Sequence, residues 1–326
     1  MPETDCQLRL RECTYDDAEI VSDLETSLDP DVPGADPVRR LHWWRMSDEL
    51  ENAMRRVAVD DGTAVAYTSA SHELWEPEDR RFGVIRPMLR RDVWNDATYG
   101  ELVKVAEQWL QSEGARTSVA RIRGNFEREL KALEGLGYRE DRRMRESELD
   151  LVANRDKILE ARRECRRRMH EQGVDMHFVS EDADPEKYRK LYEMVIESEK
   201  DIPTTVPWRV LTFDEWKTFW FTNPAIREDW FWIAREGDAI VGTSVLEVPV
   251  VRGLPWTAYT GTSRAVRGRG IARALKYESI GQAIEAGFSR VRTSNDADNP
   301  AILHINEEMG YRQVVPLIEL HRPLDS

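Results

Sequence analysis

The sequence predicts an α+β chain in which one unit, a mixed β-sheet flanked by helices, occurs twice in tandem. Two observations carry the prediction. The chain has 326 residues, about twice a common domain length. A set of strand, helix and turn signals also recurs in one order, at a nearly constant offset of about 170 residues.

The elements run in parallel through both halves. Gln7-Leu8-Arg9-Leu10-Arg11 alternates as a strand, and Thr14 then caps a helix carrying Asp16, Asp17 and Glu19 in its first turn, where the helix dipole favours negative charge. Met176-His177-Phe178-Val179 followed by Ser180, Glu181 and Asp182 repeats that order. Next come Asp31-Val32-Pro33 with Pro37 and, in register, Asp201-Ile202-Pro203 with Pro207, each followed by tryptophans: Trp43 and Trp44, then Trp208, Trp216 and Trp220. Hairpins are expected around Asp60-Asp61-Gly62 and Arg235-Glu236-Gly237. Asn125 leads to Gly137-Tyr138 as Asn299 leads to Gly310-Tyr311. The expected division is residues 1–153, a helical linker at 154–173, and 174–326. Arg162-Arg163 and Arg166-Arg167-Arg168 in the linker read as a solvated helix rather than a nucleic-acid patch.

Composition narrows the function. With 40% hydrophobic and 33% charged residues the chain is globular, and no apolar run approaches the ~18 residues of a membrane span. A net charge of −14 disfavours phosphate backbones and anionic lipid as partners. Cys6, Cys13 and Cys165 form no CxxC pair, and with no visible secretory signal a cytoplasmic location is expected. The histidines show no metal-binding spacing, so no metal is expected.

The most informative stretch runs from Tyr259-Thr260-Gly261-Thr262 through Arg267-Gly268-Arg269-Gly270-Ile271-Ala272-Arg273. It passes from a strand through a glycine-rich turn into a helix that continues to Gly287. Glycines let a ligand approach the backbone, and the first amides of a helix attract anions, so the turn suits a pyrophosphate. The first half has Arg86-Pro87-Met88-Leu89-Arg90-Arg91-Asp92-Val93-Trp94 at this point, with no glycine. It is expected not to bind the same ligand, and to buttress the second half and wall an acceptor pocket.

Arg267-x-x-Gly270-x-Ala272 resembles the coenzyme-A signature of the GNAT superfamily of N-acyltransferases, and Asn299-Pro300-Ala301 onward is similar to that family's following helix. The layout resembles a tandem GNAT protein, as in mycothiol synthases. The resemblance implies two splayed sheets, with acetyl-coenzyme A as co-substrate. Main-chain groups of Thr260 and Thr262 would hold pantetheine across Gly261, and Arg267 to Arg273 with Asn299 the remainder, although Asn299 also reads simply as a helix N-cap. It further implies transfer of an acetyl group to a primary amine of a small molecule, in a monomer or homodimer. The family's usual acid, a tyrosine, falls at Asn306, which could orient the sulfur but not protonate it; the strand glutamate of mycothiol synthases falls at Trp256. Glu247 is the leading base, with Tyr259 and His304 behind it. Asp201, Trp208 and Trp216 are the acceptor-binding candidates, against an architectural reading for the same segment. An acyl-coenzyme-A sensor without catalysis, or a mycothiol-synthase-like enzyme, stands as the alternative.

Overall fold

The computed structural model describes residues 8–32, 35–73, 81–206 and 209–324. The first half contributes β1 (Arg11–Glu12), α1 (Ala18–Leu28), α2 (Pro37–Leu50), β2 (Asn52–Asp60), β3 (Thr63–His72), β4 (Phe82–Leu89), α3 (Asp96–Ser112), β5 (Thr117–Arg123), α4 (Glu127–Gly135) and β6 (Arg139–Asp150). After α5 (Arg155–Glu171) come β7 (Val174–Phe178), α6 (Lys187–Glu199), α7 (Phe213–Phe221), β8 (Phe231–Glu236), β9 (Ala239–Glu247), β10 (Trp256–Thr262), α8 (Ile271–Glu285), β11 (Arg290–Asp296), α9 (Pro300–Met309) and β12 (Arg312–Pro323). The α+β class and its duplication are both present. The opening strand is shorter than the alternation suggested, and Thr14 precedes a 3-10 turn, Tyr15–Asp17, rather than capping α1 directly.

Local chemistry explains the elements that shape the site. Pro37 opens α2 beneath Asp36, whose carboxylate accepts from the amides of Val38 and Arg39. The hairpin turns use left-handed residues, Asp61 with Gly62 and then Gly237. The sheet is covered on both faces. In the first half, Ala66 and Ala70 of β3 pack with α3, while Tyr67, one residue out of phase, packs with α1. In the second, Ile233 of β8 faces α6 and α7, and Trp232 and Ala234 face α8.

Among the described residues the strands form one twelve-stranded sheet in the order β1-β2-β3-β4-β5-β12-β6-β11-β10-β9-β8-β7. The last strand of each half is thus exchanged. β12 lies between β5 and β6, and β11 pairs along its whole length with the second part of β6, from Asp150↔Arg290 to Met144↔Asp296. Gly124 permits the crossing, because an added Cβ there would meet the Pro316 ring at 2.9 Å. The linear division at 153 and 174 therefore runs along the chain, while each half of the sheet is completed by the other.

Two further contacts lock the halves. Helix α5 is solvated on one face, where Arg163, Arg166, Arg167 and Arg168 are exposed, and packs against α8 on the other. Arg162 and Arg166 both bind Glu278 of α8, which is completely buried, and Gly281 leaves room for the Arg162 side chain. On the other side, the second Asp36 oxygen accepts from the amides of Val250, Val251 and Arg252 in the β9–β10 connection. One carboxylate therefore caps α2 and seats a loop of the second half.

Candidate active site

The site forms where β10 leaves β11. These parallel strands pair only at Trp256↔Arg292 and Thr257↔Thr293, so from Ala258 to Thr262 the β11-facing edge of β10 is unpaired with that neighbour. Beyond Thr262 the chain reaches Gly268 and Gly270, both left-handed at φ +79° and +89°, with nothing within 4 Å of an added Cβ. Gly270 caps α8 without a side chain, leaving the first amides of the helix to a ligand.

A cleft of about 500 Å³ occupies this wedge. Its walls include Thr260, Gly261, Thr262, every residue from Arg267 to Arg273, and Asn299. The open glycine turn and uncapped helix start fit a diphosphate. Three arginines of the turn are already engaged: Arg267 with Asp201, Arg269 with Glu236 and Arg273 with Glu308, at 2.6, 2.9 and 2.9 Å. Arg168 of α5 also lines the cleft and has no ion pair among the described residues, so it and the main-chain amides are donors open to an anion. Asn299 caps α9 through the Ile302 amide and also faces the cleft. His304 lines the cleft too, but is mostly exposed and pairs with Glu308.

A second cavity of about 590 Å³ adjoins the first. Trp216, Phe219 and Trp220 of the second half line it together with Trp43, Glu51 and Glu73 of the first. Tyr259 and Ile202 belong to both cavities. The Tyr259 hydroxyl shares a 2.5 Å hydrogen bond with Ser198 of α6, and burial raises the phenol above its ordinary value. Its ring lies over Gly261, two residues along the same face of β10, where an added Cβ would meet the hydroxyl at 2.6 Å.

Glu199, the last residue of α6, was not singled out by the sequence. It lines the second cavity, and burial pushes its carboxyl from an ordinary 4.5 to about 7. No motif marks it, because its environment comes from packing. Its position immediately after Ser198, at the end of the helix preceding Asp201-Ile202-Pro203, was the available signal.

The remaining candidates are redistributed. Glu247 does line the second cavity, but it is buried in an ion pair with Arg39 of α2 and accepts from Asn223 at 3.0 Å. Its oxygens are committed, which weakens it as a base. Asn306 is buried away from the cleft lining: it accepts from Lys276 and donates to Asn295 at 2.7 Å, so it does not reach toward a sulfur. Lys276 is completely buried, and desolvation lowers its amine to about 7. Asp201 lines the cleft rather than the second cavity, held by Arg264 and Arg267, which keep its carboxyl well below the usual range. It is thus an anchor for the turn rather than an ammonium partner. Trp216 lies in the second cavity wall, and Trp208 falls outside the described residues.

The equivalent wedge of the first half is closed along its strands by ion pairs, although a cavity of about 570 Å³ remains between Trp94, Asp96 and α4. β4 and β5 pair from Phe82↔Thr117 to Ile85↔Ala120, and past that point Arg86 and Arg40 converge on Glu25 of α1. Burial would raise that carboxyl, but the two guanidiniums hold it below its ordinary value. Arg123 joins Asp29 to Glu146, and Trp94 stacks on Tyr99 at 4.8 Å. Elsewhere, Asp141, Glu319 and His321 bring ligand-type atoms within 4.8 Å of one another, but Glu319 already binds Arg121 and Thr205. No helix among the described residues is long and apolar enough to cross a membrane.

Residues 190–311 match the acetyltransferase (GNAT) family, a segment that contains Tyr259 and the glycine turn. No curated protein matches the chain in sequence. Among solved structures, a tandem GNAT protein from the clavulanic acid biosynthesis pathway superposes with a TM-score of 0.73 at 12% identity, over 98% of this chain and 99% of that one. A GCN5-related N-acetyltransferase from Sphaerobacter thermophilus superposes with a TM-score of 0.68 at 22% identity, over 99% and 96%. At these identities the likeness is one of fold, and it extends over both halves.

Proposed function

We propose, from the premise that the chain is a tandem member of the GNAT superfamily, that it is an acetyl-coenzyme-A-dependent N-acetyltransferase. The acceptor is a primary amine of a small molecule, and transfer is by direct attack within a ternary complex. Acetyl-coenzyme A supplies the activated thioester. The amides from Gly270 to Ala272 hold its pyrophosphate, and the free edge of β10 at Thr260 and Thr262 takes the pantetheine as an added strand. Glu199 removes a proton from the amine as the C–N bond forms and the C–S bond breaks. The amides of β10 stabilise the developing oxyanion, and Tyr259, which keeps its proton, donates a hydrogen bond to the sulfur, which departs as the thiolate.

The observation that carries this reading is the meeting of the two cavities at Tyr259. On one side is an open, uncapped glycine turn, and on the other a carboxyl titrating near neutrality. The test is calorimetry with coenzyme A, followed by thiol release from acetyl-coenzyme A across a panel of primary amines. Binding with amine-dependent release is expected. Tight binding with no release for any amine overturns the transfer reading in favour of an acyl-coenzyme-A sensor.

A further inference from the structure

The second cavity carries more carboxylates than it can neutralise. Among the described residues its two wall arginines are already spent, Arg39 on Glu247 and Arg209 on Glu215. Glu51, Glu73 and Glu199 line the cavity with no ion pair among the described residues; Glu73 accepts from the Arg209 amide at 2.6 Å and Glu51 from the Ser47 hydroxyl at 2.9 Å, neither of which neutralises the charge. Glu73 and Glu51 come from the first half: burial, with Glu51 adding to it and the Arg209 amide opposing it, pushes the Glu73 carboxyl up. A carboxylate pair kept partly desolvated and close together is unfavourable unless a cation joins it.

A second observation is independent of charge. Trp216 is 1% exposed and lines the same cavity, yet its indole N–H has no partner among the described residues. A buried donor left unmade costs about 1–3 kcal/mol, so a ligand oxygen is the natural complement. Aromatic walls from Trp43, Phe219 and Trp220 suit the methylene stems and charged heads of amines.

We infer that the acceptor is a dication: a diamine whose reacting amine lies toward Glu199 and Tyr259, whose second ammonium is held by Glu51 and Glu73, and whose connecting chain offers an oxygen to Trp216. The inference rests on the acetyl-transfer reading for which amine reacts, but not for the binding itself. The first half, which lacks a glycine turn of its own, thereby selects the acceptor.

The test compares α,ω-diamines of three to six carbons, and bis(2-aminoethyl) ether, with 1-aminoalkanes of the same length. Binding is measured by calorimetry in the presence of coenzyme A, and turnover by thiol release. At least one diamine is expected to bind at least about tenfold more tightly than its monoamine, a preference set by one charge-assisted contact. In the double variant Glu51→Gln, Glu73→Gln that ratio falls toward one while coenzyme A binding persists, which also shows that the variant is folded. Equal binding of diamines and monoamines, no diamine binding, or an unchanged ratio in the double variant overturns the inference. Diamine preference without thiol release counts against acetyl transfer and leaves the dication site standing, so the two failures are distinguishable.

Discussion

Glu199→Gln separates a catalytic carboxyl from a structural one, because the two roles move different observables in opposite directions. The folded chain holds the Glu199 proton up to about pH 7, whereas the unfolded chain releases it near 4.5. Between those values the native state binds more protons than the unfolded state, so stability falls as pH rises. The full difference corresponds to about 3 kcal/mol, an upper limit for a half-buried group. Glutamine carries no charge and avoids this cost. The variant should therefore gain stability over the parent at pH 8, and gain nothing at pH 4, where both are neutral.

Activity should move the other way. Removing a general base costs typically 10²–10⁴-fold. In the parent, kcat/KM should rise through an apparent pKa near 7 as Glu199 ionises, and the variant should lack that limb. The assays are thiol release as a function of pH, and chemical denaturation at pH 4 and 8. A variant within about threefold of parental activity, or one keeping the limb near 7, would refute the assignment.

Three other outcomes follow from named contacts. Gly270→Ala places a side chain at φ +89° on an open surface, so its cost is backbone strain of about 1–2 kcal/mol with no clash; coenzyme A affinity by calorimetry should fall about tenfold, whereas Trp94→Ala in the first-half wedge, which has no glycine turn, should leave one binding event per chain. Gly261→Ala drives a methyl into the Tyr259 ring, with contacts of 2.6–2.9 Å that the ring must escape; kcat should drop about tenfold or more with coenzyme A binding largely kept, and an unaltered kcat would show that the position of Tyr259 is immaterial. Asp36→Ala removes the α2 cap and the acceptor for three amides of the second half; denaturation should show a loss of about 1–3 kcal/mol, with a raised KM for the amine because Arg39, in the first turn of α2, holds Glu247 in the cavity wall.

What could be read from the residues in order was local chemistry. Alternation, proline and asparagine caps, and the left-handed glycines at Gly237, Gly268, Gly270 and Gly310 announce strands, helix starts and turns from a few neighbours each. The duplicated unit and the cleft lining between Thr260 and Arg273 were legible for that reason. Packing alone decided the rest. Strand exchange depends on which edge β12 finds, and Gly124 has no pattern that names Pro316 as its neighbour. Glu247 looked like a free strand carboxylate until α2 of the other half brought Arg39 against it. Asn306 had a motif position and Asp201 a place in the repeated Asp-x-Pro segment, but Lys276 and Arg267 took their polar atoms. Glu199 had no motif, and became a candidate base only when burial withdrew water from its carboxyl. Charge, burial and proximity between distant segments are properties of the assembled sheet, because the energy of an ionisable group depends on everything around it rather than on its neighbours in the chain.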